Sequence, residues 1–135
     1  MIFGWLTRKR TATIQDRERQ IDKWRENYFR DIVFPVVIFS KKDYLAVSDL
    51  SEYCYDIDIN IWFVNSDCEL VDSMGQKYNF KQIEKKQWVP NSKIGTIDFN
   101  ELKAKITPLL YMPLHKQGID STKTIKDITE LLLTK

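Results

Sequence analysis

A chain of 135 residues with 43% hydrophobic and 30% charged side chains is sized and composed for one globular domain with its own core. Its two cysteines, Cys54 and Cys68, stand fourteen positions apart in no metal-ligand spacing, which excludes a disulfide scaffold and points to free thiols in a reducing, cytoplasmic setting. The net charge of +2 conceals three blocks: residues 1–42 carry ten Lys/Arg against five Asp/Glu, residues 43–80 one against eight, and residues 81–135 ten against six. The centre is therefore at −7 between flanks of +5 and +4, an asymmetry that bears on partners rather than on fold.

Residues 1–10 open with the apolar run Met1 to Leu6, followed by Arg8, Lys9 and Arg10. That order is the reverse of a secretory signal, and no run approaches the ~20 apolar residues that span a bilayer. The segment is expected to pack on the fold; contact of Phe3 and Trp5 with a membrane surface is the alternative. From residue 11 to 32 the apolar residues Ile14, Ile21, Trp24, Tyr28 and Ile32 recur at helical spacing, predicting an amphipathic helix. Its other faces interleave Arg17, Arg19, Lys23 and Arg25 with Asp16, Glu18, Asp22 and Glu26, which argues against a nucleic-acid face.

Residues 33–90 predict an antiparallel meander of four to six strands. Phe34 to Phe39 is an apolar run that Pro35 restricts to an edge or to a strand's first position. Lys41, Lys42 and Asp43 read as a turn and Tyr44 to Val47 as the returning strand, with a helical turn at Ser48 to Glu52. Tyr55 to Val64 alternates, with Tyr55, Ile57, Ile59, Ile61 and Phe63 on one side and Asp56, Asp58, Asn60 and Trp62 on the other; this predicts a central strand with the first set in the core. Turns follow at Asn65 to Asp67 and at Ser73 to Gln76, where Gly75 is free to take φ > 0. Strands at Glu69 to Asp72 and around Tyr78 and Phe80 flank the second turn, and Trp88 to Pro90 closes the sheet before a loop through Asn91, Lys93 and Gly95.

Residues 98–134 predict two helices. Asp98 caps the first, with Glu101 three positions on, and Pro108 ends or kinks it near Thr107. Residues Tyr111 to Gly118 read as a loop carrying the single histidine, His115, and Thr124 caps a last helix with Ile125, Ile128 and Leu132 inward. The fold class is thus α+β, and 1–135 reads as a single domain.

Catalytic and cofactor motifs are missing: there is no Cys-x-x-Cys, His-x-x-His, Gly-x-Ser-x-Gly or phosphate-binding glycine loop, so neither a cofactor nor a metal is expected. Asp56 and Asp58 are the best carboxylate pair, roughly 6.5–7 Å apart at their Cα atoms on one strand face. They suit a solvated strand face, a partner surface, or a cation or acid/base pair. Trp62 either packs beneath the N-terminal helix or anchors an interface. Asp56, Asp58, Asn60, Trp62, Asp67, Glu69 and Asp72 together form the candidate surface for a basic protein partner, whose approach an acidic patch accelerates.

An α+β domain, rich in aromatics and acidic at its centre, resembles in type the small bacterial immunity proteins of polymorphic or contact-dependent toxin systems. That resemblance implies neutralisation of a basic cognate toxin. Two further readings stay open. A nucleic-acid or anionic-surface binder would use the basic ends, Arg8, Lys9, Arg10, Arg17 and Arg19 or Lys81, Lys85 and Lys86. A small enzyme would assemble its site from distant residues such as His115 with Asp56 and Asp58.

Overall fold

The computed structural model describes the backbone of residues 2–55, 59 and 63–134, and the side chains of residues 15–55, 59 and 63–134. These fall into two compact units, Met1–Arg30 and Asp31–Lys135. The first is a single helix, α1 (Ile2–Asn27), which begins nine residues before the predicted start and ends before Ile32. No proline interrupts residues 2–27 and the lone glycine, Gly4, sits in the first turn, so nothing local separates residues 1–10 from the helix. Exposed ion pairs lie along its described part, Arg19–Asp16 at 3.9 Å and Arg25–Asp22 at 2.9 Å. In its last turn Trp24 stacks on Phe29, which follows the helix, their rings 6.5 Å apart and 13° from parallel.

The second unit is a five-stranded antiparallel sheet with helices after it in the chain, the α+β class expected. Strands β1 (Val36–Phe39), β2 (Tyr44–Val47), β3 (Glu69–Val71), β4 (Gln76–Glu84) and β5 (Gln87–Thr96) lie in the order β2-β1-β3-β4-β5. Pro35 does precede a strand's first residue, yet β1 is internal and all four of its residues are buried. Between β2 and β3 the chain runs through α2 (Leu50–Tyr55) and crosses to the far side of β1, so the sheet is not a simple meander.

The register sorts the apolar side chains onto two faces, since directly paired residues share a side. Val37, Phe39, Tyr44, Ala46 and Val71 pack against α3 (Phe99–Ile106) through Leu102 and Ile106 and against α5 (Ile125–Leu133) through Ile128 and Leu132. Val36, Ile38, Val47, Leu70 and Tyr78 occupy the opposite face. Within α2, Leu50 and Tyr53 are buried, and the Tyr53 hydroxyl donates to the Trp88 carbonyl oxygen, tying α2 to β5.

The predicted strand Tyr55 to Val64 is not a strand at its described positions. Tyr55 ends α2, Ile59 and Phe63 have π-helical backbone, and the Val64 N–H donates to the Ile59 carbonyl five residues back, at 2.9 Å. Ile59 is core, as expected, and Phe63 is half-buried. Residues 56–58 and 60–62 lie outside the described residues.

β5 runs on to Thr96, through the predicted loop. Pro90 is tolerated because β5 is an edge strand, and the pairing with β4 is irregular between Tyr78 and Phe80, beside the Phe80–Pro90 pair. The β4–β5 hairpin turns at Lys85 and Lys86, and Lys86 adopts φ 61°. A side chain there opposes the left-handed backbone, so Lys86→Gly is expected to raise stability by about 1 kcal/mol, read as a higher urea midpoint at unchanged slope.

The two predicted C-terminal helices are present with their caps. The Asp98 carboxylate accepts from the Glu101 N–H at 2.8 Å, and Thr124 and Asp127 form a reciprocal capping box. Pro108 falls in a 3₁₀ turn, Thr107–Leu109, that ends α3. The predicted loop after it contains a further short helix, α4 (Pro113–Gly118), with Pro113 at its start, where the missing N–H costs nothing.

Candidate functional site

Strand β2 is an edge: among the described residues it pairs with β1 and with no other strand. A cleft of about 510 Å³ lies beside it, lined by Tyr44, Leu45 and Ala46 of the strand, Ser48 and Glu52 at the start of α2, Tyr111 and Met112 before α4, and His115, Leu132, Leu133 and Thr134. Successive side chains of a strand point to opposite faces. Because three consecutive residues line this one cleft, it follows the strand's edge rather than either face.

The backbone groups presented to the cleft follow from the hairpin's phase. The Ser40 N–H donates to the Asp43 carbonyl at 2.9 Å, which makes 40 and 43 a hydrogen-bonded pair. Alternation then directs the N–H and C=O groups of Leu45 and Val47 toward β1 and those of Tyr44 and Ala46 outward. The Tyr44 N–H is taken by the Asp43 carboxylate at 2.8 Å. The Tyr44 carbonyl and both backbone groups of Ala46 meet no partner among the described residues.

One wall of the cleft is a buried polar chain. His115 is 2% exposed, its Nδ1 2.8 Å from the Tyr44 hydroxyl and its Nε2 2.8 Å from the Thr134 carbonyl oxygen. A carbonyl only accepts, so Nε2 carries the hydrogen and Nδ1 accepts from Tyr44. Burial raises the Tyr44 phenol above its ordinary range, opposed by the N–H groups of Tyr111 and Met112. Both ring nitrogens being committed, His115 joins β2, α4 and the end of α5 instead of standing in a surface loop. Tyr44→Phe orphans Nδ1 and those two N–H groups, and a loss of about 1–3 kcal/mol in stability is expected by denaturant unfolding. With a raised folded pKa, the stabilisation from Tyr44 is present below about pH 10 and lost as pH rises through the folded value; in Tyr44→Phe this part of the alkaline loss disappears.

Among the lining residues Tyr111 is 64% exposed, and its ring lies 5.4 Å from that of Tyr44. Glu52 carries the only ordinarily charged side chain among the lining residues. It accepts from the Ser48 hydroxyl at 2.7 Å and forms no ion pair among the described residues.

The acidic residues named from the sequence have different fates. Asp56, Asp58, Asn60 and Trp62 lie outside the described residues. Asp67 is exposed and Glu69 half-buried; both line a second groove, of about 310 Å³, with Lys41 and Lys105. Glu69 lies 3.8 Å from Lys105, so this groove is of mixed charge rather than acidic. Asp72 is wholly buried. Its carboxylate accepts from the N–H groups of Val33, Met74 and Gln76 and from Gln76 Nε2, so it is turned inward and holds a turn. Sequence reading missed the β2 edge. Its one local signal is the short alternating strand after the Lys41–Asp43 turn, and that pattern does not tell an edge from a centre.

Among the described residues no group of three or more His, Cys, Asp or Glu is placed to hold a metal ion, and no helix is long and apolar enough to cross a membrane. No protein-family model matches the chain, and neither a curated protein nor a solved structure matches it.

Proposed function

We propose that this chain works by binding another protein, with the cleft along β2 as the docking site. The observation that carries the reading is an edge strand whose outward backbone groups face a 510 Å³ cleft lined by the exposed Tyr111 together with Met112, Leu132 and Leu133. Aromatic and apolar side chains at the mouth of a concave site are the common anchors of protein interfaces. The similarity in type to cytoplasmic immunity proteins makes a toxin domain, basic in charge, the partner to test first. Co-expression with the product of the adjacent reading frame is expected to yield a 1:1 complex by light scattering and to relieve any growth arrest that product causes alone. Separate elution of the two chains at micromolar concentration rejects the reading.

A second reading rests on the β4–β5 hairpin, which carries the exposed Lys81, Lys85, Lys86 and Lys93. A nucleic-acid or other polyanion surface there would retain the chain on heparin with a steep dependence on salt. Flow-through at low salt rejects it, and so does retention that survives reversal of those lysines.

A further inference from the structure

We propose that the cleft takes an extended, basic segment of the partner, which adds to β2 as a sixth strand of the sheet; this rests on the protein-binding reading above. An incoming strand needs backbone donors and acceptors at the spacing of a ladder. The Tyr44 carbonyl and the N–H and carbonyl of Ala46 supply three, two residues apart and facing the open side. Such groups are usually blunted at an edge by charge, proline or a covering segment. In β2, residues 44 to 47 read Tyr-Leu-Ala-Val, with neither charge nor proline, and the cleft runs beside Tyr44, Leu45 and Ala46.

The chemistry of the occupant follows from the lining. Apolar groups from Leu132, Leu133, Met112 and the Tyr44 and Tyr111 rings receive every second side chain of an added strand. Glu52, with no cation beside it among the described residues, selects a lysine or arginine on the segment. A concave groove of this size accommodates one strand flanked by the ends of α4 and α5 more readily than the broad edge of a second sheet. The segment therefore belongs to a partner and not to a second copy of this chain.

The test is an amide-resonance NMR titration of the full chain with capped decapeptides. One is built of five Val-Lys repeats, one of five Val-Glu repeats, and one is the Val-Lys peptide N-methylated at alternate residues. The expected result is shifts centred on Tyr44 to Ala46, Glu52 and Tyr111 with the Val-Lys peptide, weaker by roughly tenfold or more with the Val-Glu peptide, and abolished by N-methylation. Glu52→Lys, at a half-buried position outside the core, is expected to invert the charge preference. Ala46→Pro removes the outward N–H and places a ring at a residue 7% exposed; edge strands tolerate proline, and the variant should lose binding while the rest of the spectrum stays folded, the N-methylated peptide testing the same hydrogen bonds with the chain unchanged. Shifts absent at millimolar peptide, shifts centred elsewhere, or equal response to both charges overturns strand addition. So does dimerisation of the free chain through β2. Should the co-expressed partner bind Ala46→Pro and Glu52→Lys as tightly as the parent chain, strand addition fails while the protein-binding reading stands. If the parent chain binds no partner and none of the peptides, both fail together.

Discussion

Replacing Asp72 by alanine is expected to lower stability by about 3–5 kcal/mol, a large share of the ~5–15 kcal/mol that holds a domain of this kind together. The Asp72 carboxylate is 0% exposed, and each of its oxygens accepts two hydrogen bonds. Oδ1 takes the N–H groups of Met74 and Gln76, both at 2.9 Å, and Oδ2 takes the Val33 N–H at 3.1 Å and Gln76 Nε2 at 2.8 Å. Each donor left buried without an acceptor costs roughly 1–3 kcal/mol, less whatever rehydration recovers. The bonds also tie the β3–β4 turn to the backbone at Val33, next to the start of β1, so the loss spreads through the sheet. Asp72→Asn keeps Oδ1 but turns an NH₂ toward two donors, and about half the destabilisation is expected. A fall in urea midpoint at constant slope measures both. If Asp72→Ala stays within 1 kcal/mol of the parent chain, the carboxylate is not the keystone of that turn.

Gly75→Ala is the second large effect, expected at about 2–4 kcal/mol. Gly75 has φ +80°, where a side chain is strained whatever space surrounds it, and here there is none: an added Cβ would stand 2.5 Å from the Ile97 carbonyl oxygen and 2.9 Å from Ile125 Cδ1. The backbone cannot slide away, because the Gly75 carbonyl accepts from the Ile97 N–H at 2.8 Å and its N–H donates to the Asp72 carbonyl at 3.0 Å. Gly118→Ala is the matched control. Its Cβ would come within 2.6 Å of Leu131 Cδ1, but that is a movable side chain and the backbone there is helical, so a cost below about 1.5 kcal/mol is expected. Because Asp72 and Gly75 share one turn, the double substitution should cost less than the sum of the two.

Both residues show what kind of information a sequence carries. Gly75 was legible as the φ > 0 position of a turn, since turn chemistry is decided within four residues. The Asp98 and Thr124 caps, the Lys41–Asp43 turn and the Asn65–Asp67 turn were legible for the same reason. So was the close of α3 at Pro108, where a missing N–H acts only on its own turn. Asp72 was read as one more acid on an outward face. Its four donors come from a turn and from Val33, 39 residues away, and no local pattern signals a carboxylate pulled inward by distant N–H groups.

The same division runs through the larger elements. Sequence alone determined the class, α+β, with a helix first, strands in the middle and capped helices last, because periodicity and capping are properties of neighbouring residues. Tertiary structure decided that Tyr55, Ile59 and Phe63 are helical despite the alternation around them. A short apolar run satisfies either period, and the contacts made after folding choose between them. It also placed β1 inside and β2 at the edge, carried β5 through Pro90, and buried His115 between Tyr44 and Thr134, a pairing that spans 71 residues on one side and 19 on the other. Edge position belongs to the sheet and not to the strand. The cleft beside Tyr44, Leu45 and Ala46 therefore came into view only once the strand order was known.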